Sequence, residues 1–143
     1  MQVQEIKLKY NNKMLIDDAP KIDQPDLAAK IFRKYMKEEI LYRESLYAIY
    51  LNKALKVKGI FKVSDGGIGA SLADIRIILG IALKSFSSAI ILAHNHPSGS
   101  LEVSHADKKL TKELKKASNV MNIKLVDHLI ITKNEYKSII NEE

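Results

Sequence analysis

Cysteine is absent from all 143 residues, which excludes a disulfide framework and every form of thiolate chemistry. Long apolar runs are missing too. Nothing approaches the ~20 residues that a membrane helix needs, so no membrane partner is expected. The opening "MQVQEIKLKY" alternates polar and apolar residues, unlike a signal or transit peptide, and a cytoplasmic protein is the expectation. No repeat, low-complexity tract or long linker divides the chain, and its length suits one domain with its own core. Acidic residues are outnumbered, 17 against 23 Lys and Arg, for a net charge of +6. That balance permits weak attraction to nucleic acid, but a solvated lysine surface explains it more simply.

What is present reads as alternating β and α elements. Residues 2–9 alternate as a first strand would, ending at Asn11-Asn12. A turn-rich stretch leads to a helix opened by Pro25 or Asp26, with Leu27, Ile31, Tyr35 and Met36 as its apolar stripe. "SLYAIYLNKALKVKGIFKV" predicts a β-hairpin turning near Asn52-Lys53. The glycine loop "SDGGIGAS" follows, and Ser71 with Asp74 resembles a capping box opening the helix "LADIRIILGIALK". The run from Ala89 to Ala93 predicts a central strand buried on both faces.

Ser104 and Asp107 repeat the helix-start signal, with Ala106, Leu110, Leu114 and Ala117 on one face. "IKLVDHLIIT" predicts a further strand, and the tail 134–143 shows no decisive period. The order β-α-β-β-α-β-α-β indicates an α/β domain, a mixed sheet flanked by helices. Residues 1–24 would be an N-terminal strand and turn, and 25–133 the core.

Three of the four histidines fall within "AHNHPSGSLEVSHAD". His94 and His96 are two apart at the end of the buried strand. In extended backbone they point to one side, about 6–7 Å apart along the chain. Two imidazoles so placed can lean toward one ion at about 2.0–2.1 Å each. Asn95 then points elsewhere, suited to a supporting hydrogen bond. Pro97-Ser98-Gly99 turns the chain, and the helix starting at Ser104 brings Asp107 back in its first turn.

Two nitrogens and one oxygen leave a fourth position for water, the ligand count of a catalytic zinc. Each feature alone has a plainer explanation. Paired histidines are common in surface loops, and Ser104 with Asp107 makes a good helix cap. Their conjunction is harder to obtain from packing, because strand ends are where open α/β sheets place ligands.

The spacing His94-x-His96, seven residues, Ser104, two residues, Asp107 resembles the metal motif of the JAMM (MPN+) metalloproteases. The wider pattern "AHNHPSG…S…D…LT…L…A" followed by "LVDHLIIT" is similar to the RadC branch of that superfamily, the DNA repair protein RadC family. The similarity runs from about Glu44 to Thr132. This resemblance implies a JAMM/MPN (cytidine-deaminase-like) fold and one Zn2+ held by His94, His96 and Asp107. It casts Ser104 as the hydroxyl that holds the substrate or the developing oxyanion.

It also implies a glutamate general acid/base at the start of the first hairpin strand, eight residues before the Asp or Asn that ends it. Glu44, eight before Asn52, fits that pattern. Glu38 and Glu39 compete, and sequence does not separate the three. The implied activity is that of a zinc metallopeptidase or isopeptidase, with activated water attacking an amide carbonyl of a peptide or isopeptide substrate. One alternative is a nucleic-acid-binding protein of DNA repair or mobile elements, with DNA or repair proteins as partners. Another is a non-catalytic binding module. Longer members of the branch carry an N-terminal helix-hairpin-helix module, whereas about 25 residues precede the first predicted helix here, which weakens the DNA reading.

His105 sits in the first helical turn between Ser104 and Asp107, about 100° of helix rotation from Ser104, and is expected to face solvent or the cleft rim rather than the metal. Asp127 and His128 should point to opposite faces of their strand in hydrogen-bonding roles. Asp127 is the reasonable carboxylate partner for a metal-bound imidazole. The glycine loop lacks the Gly-Lys-Ser/Thr ending of a phosphate-binding P-loop. The lysines at 108, 109, 112, 115 and 116 read as a solvated helix face, with no interleaved aromatics on which bases could stack.

Overall fold

The computed structural model describes residues 1–66 and 73–140. At its centre lies a five-stranded mixed sheet in the order β2-β1-β3-β4-β5. The strands are β1 Ser45–Leu51, β2 Val57–Asp65, β3 Ala89–Asn95, β4 Lys124–Ile131 and β5 Tyr136–Ser138. β3 and β4 run parallel and the other neighbours antiparallel. Helix α1 (Pro25–Met36) packs on one face, and α2 (Ile75–Lys84) with α3 (His105–Val120) on the other. The α/β class and the mixed, helix-flanked sheet are as the sequence indicates.

β1 and β3 are buried along their whole length, which is why they read as unbroken apolar runs rather than alternating ones. Tyr47, Ile49, Leu51, Ile91 and Ala93 face α1, whereas Leu46, Ala48, Tyr50, Ile90 and Leu92 face α2 and α3. The β1–β2 turn is held by Asn52, whose side chain accepts from Ala54 N and Lys56 N at 2.9 and 3.0 Å. This is the turn expected near Asn52-Lys53.

Four expectations are corrected. Residues 2–9 form no strand. Ile6 is 85% exposed there, and no ladder joins the segment to the edge strand β2, although Tyr10 lies over Gly59. Alternation makes a strand only where a sheet edge accepts its hydrogen bonds. On α1 the buried stripe is Ala28, Ala29, Phe32 and Met36, while Tyr35 is exposed. The two alanines let the helix sit close to the sheet, turning the larger Leu27 and Ile31 to its flanks. Helix α2 begins at Ile75 with Asp74 itself as N-cap, accepting from Arg76 N at 2.9 Å; Ser71 lies outside the described residues. On α3, Leu114 is buried with Leu110 and Ala117 packed beside it, as expected, but Ala106 is exposed, and Thr111 and Ser118 are buried as well.

The tail supplies β5, three residues paired with the end of β4 and too short to show a period. One irregularity in β4 matters most. Its register with β3 slips by a residue between the pairs Ile90↔Leu125 and Ile91↔Asp127. Because side chains alternate, such a slip reassigns every later residue to the other face. Strict alternation from Leu125 would put Asp127 toward α3; the bulge puts His128 there instead.

Candidate metal centre

His94 stands near the end of β3, opposite Leu46 of β1, and points to the α2/α3 face. His96 follows two residues on and shares that side. Extending the same register sets Glu44, two residues before Leu46, across from His96. The turn at 96–99 is closed by Gly99 N donating to His96 O at 3.0 Å, with Gly99 at φ +85, a value that L side chains resist. It returns the chain so that Ser100 O lies 2.8 Å from His96 Nδ1. A carbonyl only accepts, so the Nδ1 proton of a neutral His96 is committed there and its Nε2 carries the lone pair.

The two Nε2 atoms are 3.0 Å apart. Asp107 reaches them from the first turn of α3, with Oδ1 3.2 Å from His94 Nε2 and Oδ2 3.7 Å from His96 Nε2. Glu44 approaches too: one ligand atom each from Glu44, His94 and His96 lies within 4.8 Å of the others. His94 is buried at 3% exposure, and Glu44 is half-buried. Two imidazole nitrogens and two carboxylates therefore converge at one strand end, a donor set that suits a divalent cation such as zinc. Glu38 and Glu39 do not join this cluster; both are exposed, and Glu39 pairs instead with Lys62 at 3.3 Å.

Ser104 and Asp107 form the expected capping box. Ser104 Oγ accepts from Asp107 N at 3.1 Å, and Asp107 Oδ2 accepts from Ser104 N at 3.2 Å. The cap thus fixes the carboxylate that faces the histidines. Burial pushes the Asp107 pKa up, but the adjoining His94 and His96 imidazoles, together with Ser104, outweigh it and hold the carboxyl well below its usual range. His96 is raised, chiefly by its contact with Asp107 and against the effect of burial. His105 is exposed, as expected.

Glu44 is anchored from the opposite side of the sheet. The Asn95 amide accepts from Ser45 N at 2.9 Å and Ser45 Oγ at 3.1 Å, and donates to Ile40 O at 3.0 Å and Arg43 O at 2.7 Å. Gly66 N donates to Glu44 O at 2.8 Å. Asn95 has the supporting role that its position between the histidines suggests.

The expected partner of a ligating imidazole is corrected. His94 Nδ1 meets His128 Nε2 at 2.9 Å, not Asp127. The β4 bulge is the reason: Asp127 lies on the α1 side, where it accepts from Ser138 Oγ at 2.5 Å and from His128 N at 2.8 Å. His128 is wholly buried, and that burial drives its pKa well below the ordinary histidine value. Its Nδ1 lies 2.7 Å from Thr111 Oγ1, which also bonds Asp107 O at 2.8 Å. Thr111 was legible only as a polar residue on the buried stripe of α3, four positions after Asp107.

Along α3, Lys108, Lys112, Lys115 and Lys116 line a groove of about 590 Å³ with Thr111, Asn119 and Ile139. Among the described residues no helix is long and apolar enough to cross a membrane.

A family model described as RadC-like JAB domain matches residues 22–143. A UPF0758 protein of Flavobacterium johnsoniae is 39% identical over 102 residues, covering 71% of this chain and 44% of that protein. Another from Streptococcus sanguinis is 40% identical over 111 residues, 76% of this chain and 48% of its own. One from Listeria welshimeri is 37% identical over 123 residues, 86% of this chain and 50% of its own. The chain thus spans about half the length of the curated relatives it matches. With the match running through the strand end, the turn and the cap that gather the site, this chain belongs to the RadC-like JAB domain family.

Proposed function

We propose that the chain is a zinc-dependent hydrolase of amide bonds, acting on a peptide or isopeptide. The observation that carries this reading is the convergence of His94 Nε2 and His96 Nε2, 3.0 Å apart, with Asp107 and Glu44. Such a cluster of acceptors in a half-buried cleft costs electrostatic energy unless a cation or proton is shared among them. His94, His96 and Asp107 would hold the ion, leaving Glu44 as the carboxylate not spent on ligation. Zinc held there would acidify a water, lowering its pKa from about 15.7 to about 7, and polarise a carbonyl.

Glu44 then takes the water's proton and returns it to the departing amine, a task that needs a carboxylate within hydrogen-bond reach. Asn95 and Gly66 hold its backbone in place for both transfers. Ser104 serves as donor to the oxyanion. Its oxygen accepts from Asp107 N, and its hydroxyl proton would turn from the Asp107 carboxylate toward the developing charge.

The test joins elemental analysis with turnover on a panel of peptide and isopeptide-linked substrates. Near-stoichiometric zinc is expected in the wild type and should be lost in His94→Ala and Asp107→Ala. Glu44→Gln should keep the zinc and lower turnover by roughly 10²–10⁴-fold. Normal turnover in that variant removes Glu44 from the chemistry, and a wild type that takes no zinc removes the hydrolase. The second reading, nucleic-acid binding, draws on the lysine groove along α3. A steep loss of DNA affinity with rising salt would favour it.

A further inference from the structure

We infer that Thr111 and His128 set the tautomer of His94 and so turn its Nε2 lone pair into the site. The inference deepens the metal-site reading above and rests on it for its purpose, though not for its test.

One chain of hydrogen bonds links Asp107 O, Thr111, His128 and His94. Thr111 Oγ1 lies 2.8 Å from Asp107 O and 2.7 Å from His128 Nδ1. A hydroxyl has one proton to give, and the carbonyl can only accept. The proton therefore goes to Asp107 O, and toward His128 the hydroxyl can only accept. His128 Nδ1 must carry hydrogen. The ring is wholly buried, and no carboxylate is among its side-chain hydrogen-bond partners in the described residues, so it stays neutral. Its Nε2 is then bare and accepts from His94 Nδ1 at 2.9 Å. That contact places the one proton of a neutral His94 on Nδ1, leaving Nε2 to face His96 and Asp107.

Reversing the first bond reverses all of them. Were Thr111 to donate to His128, then His128 Nε2–H would donate to His94 Nδ1, and His94 would show the centre an N–H that no metal can use. The direction is chosen by a single backbone carbonyl of α3, one turn before Thr111. The β4 bulge is what brings His128 into line, because without it the residue facing α3 would be Asp127. Thr111 and His128 are thus positioning residues that act through His94 and touch no substrate.

Nitrogen NMR of the imidazoles in the metal-free wild type, at mildly alkaline pH, reads the tautomer directly. The expected result is His94 protonated on Nδ1 and His128 on Nδ1. A His94 protonated on Nε2 overturns the inference, whether or not the protein takes up zinc. Thr111→Val removes the hydroxyl at similar shape. It should mix the His94 tautomers and weaken zinc binding about 10–100-fold, with Thr111→Ser restoring both. Wild-type tautomer and affinity in Thr111→Val would also overturn it. Should the valine variant fail to fold, the wild-type spectrum still decides. A protein with the expected tautomer but no zinc affinity would sink the hydrolase and leave the hydrogen-bond assignment standing.

Discussion

The two faces of the sheet carry buried polar groups at the same end, and they treat them differently. On the α1 side, Asn95 makes four hydrogen bonds, two accepted from Ser45 and two donated to the carbonyls of Ile40 and Arg43. Donors and acceptors balance there, and the group is a lock. On the α2/α3 side, two imidazole nitrogens meet two carboxylates with far more lone pairs than protons to share. Buried polarity alone does not mark a site, since both ends have it. An excess of acceptors does. The two are joined by a single residue step, because Asn95 lies between the two histidines and its bonds hold the backbone on either side of Glu44.

Three substitutions would break or sharpen this contrast. The largest effect is expected from Phe32→Ala, a wholly buried ring in the α1 layer. It should cost about 3–5 kcal/mol of stability in urea unfolding while the folded fraction keeps its zinc stoichiometry. Loss of zinc from folded protein would show that the faces are not independent.

Asn95→Asp comes next, because it sets a carboxylate oxygen against the carbonyls of Ile40 and Arg43 in place of the donor. A cost of about 1–3 kcal/mol is expected, together with slower turnover at unchanged zinc content. Zinc loss equal to that of His94→Ala would mean that Asn95 supports the ligands rather than Glu44.

The smallest effect belongs to Asp127→Asn, about 0.5 kcal/mol or less, with no change in zinc affinity. Asp127 has its pKa raised, first by burial, so its folded state favours the proton. Its contribution to stability is therefore present below the unfolded carboxyl pKa of about 3.9 and is lost as pH rises through the higher folded value. Unfolding curves of wild type and variant across that window should diverge upward from acid and then run parallel. A zinc defect in this variant would return Asp127 to the role that His128 holds.

Much of the fold was legible because its strongest signals are local. The cap at Ser104, the Asn52 turn and the apolar runs of β1 and β3 all declare themselves within a few residues. The failures share one cause. The alternation of residues 2–9, the stripe of α1 and the choice between Asp127 and His128 each depend on a neighbour distant in sequence. Glu44 could not be told from Glu38 and Glu39 for the same reason, since antiparallel register with β3 is what sets it beside His96.

By itself, then, the amino-acid order determined the segment in which the two histidines and Asp107 meet. His94 and His96 share one side because extended backbone repeats every two residues, and Asp107 returns because a turn and a cap follow. Only the tertiary structure decided which glutamate approaches and which strand residue bonds His94. Both are matters of register between segments, and the β4 slip of a single residue exchanges the two faces without leaving a local trace in the composition.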